Sequence, residues 1–178
     1  MAITTIQWNQ VQMLSADPSR LPYILLTYKP SFVSDLIRWF DGEWSHVVWH
    51  HRPHFVASQD WRFHETLLTK YKTHDMEILE FERGWEGDNA QYKKAIMDCI
   101  HSQIRRAAFY DLLGLVGHLV RYPRLHCATK YYCTEAVWKG FQAAYHLEDM
   151  KFTPLQLGNW LKGHGWKTLG YRKAERDQ

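Results

Sequence analysis

The sequence predicts an α+β domain in which an antiparallel sheet packs against helices. Short β-favouring runs crowd the stretch from Tyr23 to Phe81, while helical periodicity takes over in the second half, an order that argues against a wound parallel sheet. A length of 178 residues suits one self-supporting core. No internal repeat and no Gly/Ser/Pro-rich linker divides the chain, so residues 1–178 read as a single domain.

The elements follow in order. After a polar start, Tyr23-Ile24-Leu25-Leu26-Thr27-Tyr28 is a short apolar run closed by Pro30, a buried strand. Ser31 offers an N-cap for a helix over Phe32 to Phe40, whose apolar residues fall at helical spacing before Asp41-Gly42 stops it. Ser45 to His50 and His54 to Ser58 flank His51-Arg52-Pro53, and together they predict a hairpin turning about Arg52. Phe63 to Leu68 and Met76 to Phe81 add two strands. Asp88 caps a helix that runs to Ala108, and the Gly-punctuated segment Tyr110 to Gly117 follows. Two further helices are predicted, Cys133 to Tyr145 and Pro154 to Lys162, the second with Thr153 as N-cap and Pro154 at its first position.

Composition narrows the function. Hydrophobic residues at 46% and charged residues at 23% exclude disorder and low complexity for the whole chain. Nine Trp, ten Tyr and eight Phe supply enough planar side chains to wall a cleft as well as fill a core. The net charge of only +3 is spread over small separated groups (Lys93-Lys94, Arg105-Arg106, Arg172-Lys173), so nucleic acid is not an expected partner. The longest apolar run, Leu112 to Val120, is too short and too interrupted for a transmembrane segment. MAITTIQWNQ has neither the basic start nor the apolar stretch of a signal peptide, and a cytoplasmic protein is expected. Three Cys with no CxxC imply reduced thiols.

One constellation has the makings of chemistry. Cys133 opens a predicted helix, where unpaired N–H groups and the positive end of the macrodipole lower a thiol pKa, and where its own N–H can donate to a forming oxyanion. His46, at the start of a strand within Trp44-Ser45-His46-Val47, is a rigidly mounted base. Cys99 reads as inert packing. The run His50-His51-Arg52-Pro53-His54, with His64 further on, matches no metal-ligand spacing and reads as a polar hairpin tip, so neither a metal nor another cofactor is expected. Glu135 lies two residues beyond Cys133, which points it away from the thiol and gives it a structural or substrate-rim role.

Several pieces of the chain, in order, resemble one family: Tyr23 to Phe40, Trp44-Ser45-His46-Val47, Phe55 to Leu68, Tyr110-Asp111-Leu112-Leu113-Gly114-Leu115, Tyr132-Cys133-Thr134-Glu135 and Thr153-Pro154. Across about residues 23–161 the chain resembles the circularly permuted, papain-like NlpC superfamily, closest to the YiiX-like hydrolases and related to the lecithin retinol acyltransferase group. The resemblance implies a Cys133 nucleophile, a His46 base that precedes it in the chain, and a structural Tyr110-Asp111 pair. It also implies a third polar residue on the next strand, usually Glu, His, Asn or Gln. If the hairpin turns about Arg52, His46 pairs with Ser58, and Ser58 is the third member, with His54 and Gln59 as alternatives. A Ser there carries no charge to stabilise an imidazolium. Trp44 and Trp49 beside His46, and Tyr132 beside Cys133, are candidate substrate-cleft walls. The expected substrate is a small peptide, another amide or an acyl compound. Amide hydrolysis, acyl transfer or thioester hydrolysis on lipid-like acyl groups, and catalytically silent binding are the three functions the sequence admits.

Overall fold

The computed structural model describes residues 5–60, 62–107, 109 and 132–174, leaving aside the side chains of Phe40 and Asp41. The Tyr110 to Leu115 motif, Asp111 and Cys127 lie outside the described residues. The strands β1 (Tyr23–Tyr28), β2 (His46–Arg52), β3 (Phe55–Gln59), β4 (Phe63–Leu67), β5 (Asp75–Phe81) and β6 (Trp166–Arg172) form one antiparallel sheet in the order β4-β3-β2-β1-β5-β6. The helices are α1 (Trp8–Ala16), α2 (Phe32–Asp41), α3 (Ala90–Arg106), α4 (Cys133–Tyr145) and α5 (Pro154–Gly163).

β1 lies at the centre and is buried along its whole length because both faces of the sheet are covered. One face carries Ile24, Leu26, Val47, Trp49, Ala57, Leu79 and Phe81, which pack against α4, α5 and Ile96 and Ile100 of α3. The other carries Tyr23, Leu25, Val48, Val56, Met76 and Ile78, covered by Val11, Leu21, Leu68 and Tyr71. Each fully buried aliphatic of β1 contributes roughly 1.5–3 kcal/mol of apolar transfer free energy. Glycine sets the helix-to-sheet spacing at two points. A Cβ on Gly140 of α4 would lie 3.0 Å from Cζ2 of Trp49, and one on Gly158 of α5 would lie 2.6 Å from Cδ1 of Leu26.

The capping signals of α2 and α5 act as read. Ser31 Oγ accepts the N–H of Ser34 at the head of α2, and at the head of α5 Thr153 and Gln156 exchange reciprocal hydrogen bonds. Asp88 does not cap α3 directly, because Gly87–Asn89 form a 3₁₀ turn and the α-helix begins at Ala90. The β2–β3 turn is also displaced from the expected position. Trp49 pairs with Ala57 and His50 with Val56, and the register shifts between His50 and Arg52, so the turn centres beyond Arg52 with His54 at φ 65°. Continued toward the start of β2, this register sets His46 opposite Asp60, not Ser58. The offset is two residues, and period two keeps Ser58 on the face of His46.

Helix α2 stands apart in burial. Ile37 is buried, whereas Phe32 is 85% and Trp39 79% exposed on a helix whose apolar residues form one contiguous stripe. Among the described residues, no helix is long and apolar enough to cross a membrane.

Candidate active site

Cys133 is the first residue of α4, and the chain enters that helix through Tyr132 in extended conformation with no side-chain cap. The first-turn N–H groups are therefore left for another acceptor. The backbone N–H groups of Val47, Thr134 and Cys133 itself lie near the sulfur and favour its thiolate. Burial outweighs them. At 1% exposure the thiol pKa is pushed up to about 11, so the expectation of a lowered pKa from the helix terminus is overturned by desolvation.

The Val47 contact brings the head of α4 against the start of β2, where His46 stands next in sequence. Among the described residues no hydrogen bond joins the Cys133 sulfur to the His46 ring. The ring is held from its other side, with Nε2 3.0 Å from Ser58 Oγ. Ser58 donates to Asp60 Oδ1 at 2.9 Å, and the Tyr71 hydroxyl donates to Ser58 Oγ at 2.9 Å. A hydroxyl has one proton and two lone pairs. With its proton on Asp60 and one lone pair on Tyr71, Ser58 receives the imidazole as a donor. Nε2 therefore carries the proton and Nδ1 keeps a lone pair, the tautomer a general base requires.

Asp60 is the member that sequence reasoning missed. Its Oδ1 lies 3.5 Å from His46 Nε2, and its Oδ2 accepts from Lys70 Nζ at 2.9 Å. It supplies the negative charge absent from Ser58, one hydroxyl removed from the imidazole. The signal was present in the chain: residues 58 and 60 share a face by the same period-two rule that selected Ser58. Burial alone would raise the Asp60 carboxyl, but His46, Lys70 and the Ser58 hydroxyl reverse this and hold it below its usual range. Burial depresses the His46 pKa, with Asp60 opposing and Lys70 assisting, so the resting pair is a neutral thiol and a neutral imidazole. Nearby His74 is pushed down to about 4 by burial and by Lys29, and its ring packs on Tyr71 at 4.8 Å.

A cleft of about 360 Å³ opens beside this cluster, lined by Thr27, Lys29, Ile37, His46, Asp60 and His74 among others. Gln59 also lines it, whereas His54 sits in the β2–β3 turn, where its backbone N–H bonds Ser15; neither takes the place of Ser58 on the ring. The three expected cleft walls are corrected to core positions. Trp49 is fully buried between Phe141, Trp166 and Gly140; Trp44 is 3% exposed and stacked with Tyr171; Tyr132 is 1% exposed beneath the head of α4. Period two explains Trp49, since odd positions of β2 face α4. Glu135 is buried within α4. Cys99 lies half-buried on α3, accepting from Gln103 Nε2 at 3.3 Å. His51 bonds Glu65 and His50 is buried in the sheet; among the described residues no group of three or more His, Cys, Asp and Glu is placed to hold a metal ion.

No known protein family and no curated protein matches this chain.

Proposed function

We propose that the chain is a cysteine hydrolase of the permuted NlpC-type, papain-like group, cleaving an amide bond through an acyl-enzyme on Cys133. The observation that carries the reading is the Tyr71–Ser58–Asp60 network, which orients one imidazole of eleven, fixes its Nε2–H tautomer and leaves Nδ1 basic. That imidazole adjoins Val47, whose N–H meets the thiol at the head of α4. In the reaction, His46 stands on the Val48 face of the sheet and Cys133 on the Val47 face, so the Cys133 proton passes around the start of β2 to His46 Nδ1 as sulfur bonds the carbonyl carbon, and the oxyanion is stabilised by first-turn N–H groups of α4. The imidazolium then protonates the departing amine as the C–N bond breaks. Water, deprotonated by the same imidazole, releases the acid and restores the thiol. Because thiol and imidazole are both neutral at rest, proton transfer belongs to the step in which substrate displaces the packing over the sulfur.

A second reading has one observation in its favour. The exposed apolar stripe of α2 runs beside the cleft, which Val33 and Ile37 help to line, and lipid-like acyl donors would suit such a margin. Incubation with peptidoglycan fragments, γ-glutamyl peptides and acyl esters, read by intact mass, tests both. An adduct from an amide substrate that Cys133→Ala and His46→Ala lose supports the hydrolase. An adduct from acyl esters alone favours acyl transfer, and no adduct or turnover on any panel favours a silent binding protein.

A further inference from the structure

A second cavity, of about 600 Å³, lies at the other end of α4. Phe141 and Tyr145, which line it, stand eight and twelve residues beyond Cys133, or roughly 12 and 18 Å along the helix axis. It is thus separate from the His46 cleft, and its volume falls in the ordinary range for small-molecule sites.

Its walls are aromatic and already packed. Phe81, Phe141 and Trp166 form the buried floor, while Tyr92, Tyr145 and Trp160 are half-buried and keep ring surface toward solvent. Tyr92 stacks on Tyr145 at 4.7 Å and Trp160 on His164 at 3.9 Å, so these rings are held in place. The polar lining is sparse. Among the described residues, Arg83 is the only Arg, Lys, Asp or Glu in the lining, and neither its guanidinium nor the Asn89 amide makes an ion pair or hydrogen bond. His164 donates its Nδ1–H to the Trp160 carbonyl, which leaves Nε2 as an acceptor. Arg83 also lines a neighbouring cleft together with Glu80, Glu82 and Glu86, none of which lines this one. An aromatic box with an acidic wall would suit a cation; among its described lining residues this one carries a guanidinium without an ion-pair partner and no carboxylate.

We propose that this cavity is a second binding site, for a planar aromatic ring system bearing an anionic group, with the ring among Tyr92, Tyr145 and Trp160 and the anion on Arg83. Gly163 gives the means to test it without touching the walls, because a Cβ there meets nothing within 4 Å and its φ is not in the left-handed region. The probes are naphthalene-2-carboxylate, its uncharged amide and the matching trimethylammonium compound, titrated by calorimetry into the intact protein. The carboxylate binds. Arg83→Gln, on an exposed side chain, weakens it about tenfold while leaving the amide within about twofold. Gly163→Phe, with near-ultraviolet circular dichroism matching the parent, loses both. The proposal is overturned if the carboxylate does not bind, if binding survives Gly163→Phe, if Arg83→Gln affects acid and amide alike, or if the cation binds more tightly than the acid.

Discussion

Removing the Ser58 hydroxyl tests the network that fixes the His46 ring. In Ser58→Ala the Tyr71 hydroxyl, on a residue only 2% exposed, loses its acceptor. A buried unsatisfied donor costs roughly 1–3 kcal/mol. His46 and Asp60, whose side chains are 20% and 31% exposed, can recruit water, so their share is smaller, and the whole substitution should cost roughly 2–4 kcal/mol. Tyr71→Phe removes the donor and leaves Ser58 still bonded to His46 and Asp60, at roughly 1 kcal/mol. In the double variant the orphaned hydroxyl no longer exists. Its cost should therefore fall short of the sum of the single costs by roughly 1–2 kcal/mol, a coupling readable in a double-mutant cycle. Urea denaturation of the four proteins gives the cycle, and nitrogen-15 NMR of the imidazole gives the tautomer, with the proton on Nε2 in the parent. Additive single effects, or a parent ring protonated on Nδ1, would refute the hydrogen-bond arithmetic.

Three other outcomes can be checked. With a thiol pKa of about 11 against an ordinary 9.0, Cys133 should react with iodoacetamide at pH 8 about a hundredfold more slowly than a thiol of ordinary pKa, and urea should bring it level; fast labelling of the folded protein would contradict the buried neutral thiol. His50 and His74, held at about 3 and about 4, are neutral in the fold while the unfolded chain binds protons from about 6.5 downward, so stability is full above that pH and falls by roughly 3 kcal/mol or more per imidazole as pH drops through 4; a flat melting temperature from pH 7 to 4 would exclude this. Gly140→Ala should lower stability by roughly 1–3 kcal/mol despite the better helix propensity of Ala, because the Trp49 ring opposite is fully buried and cannot yield; a higher melting temperature would show otherwise.

How far the fold was legible depended on how strongly each segment is patterned. β1 is apolar throughout because both faces are covered, and α2 carries its apolar residues in one stripe, so each was visible without knowledge of its neighbours. β6 was not. Trp166–Arg172 alternates poorly in burial, contains Gly170 and pairs with β5 through a register shift, so its strand character comes from the edge it joins. α1 buries only Val11 and Ser15, too little for a periodic signal. At the candidate site, the helix-start position and the family resemblance selected Cys133 and His46, and the expected hairpin pairing selected Ser58. Asp60 was hidden because it follows the last residue of β3 and acts through Ser58 instead of touching the ring closely. The opposing effects on Cys133, helix terminus against burial, could be ranked only once α4 was seen pressed on the sheet.

The irregular turn between β2 and β3 makes the fold sensitive to odd and even changes in length. Measured against a turn about Arg52, the register stands two residues off, yet Ser58 and Asp60 still meet the His46 ring. A change of two residues in this hairpin restores the same faces, so the imidazole network can outlive it. A change of one would send Val56 and Ser58 to the helix side and bring Ala57 and Gln59 toward Tyr71, breaking the network and both cores together. Variation tolerated at this hairpin should therefore come in pairs of residues, with single insertions surviving only where a further bulge restores the count.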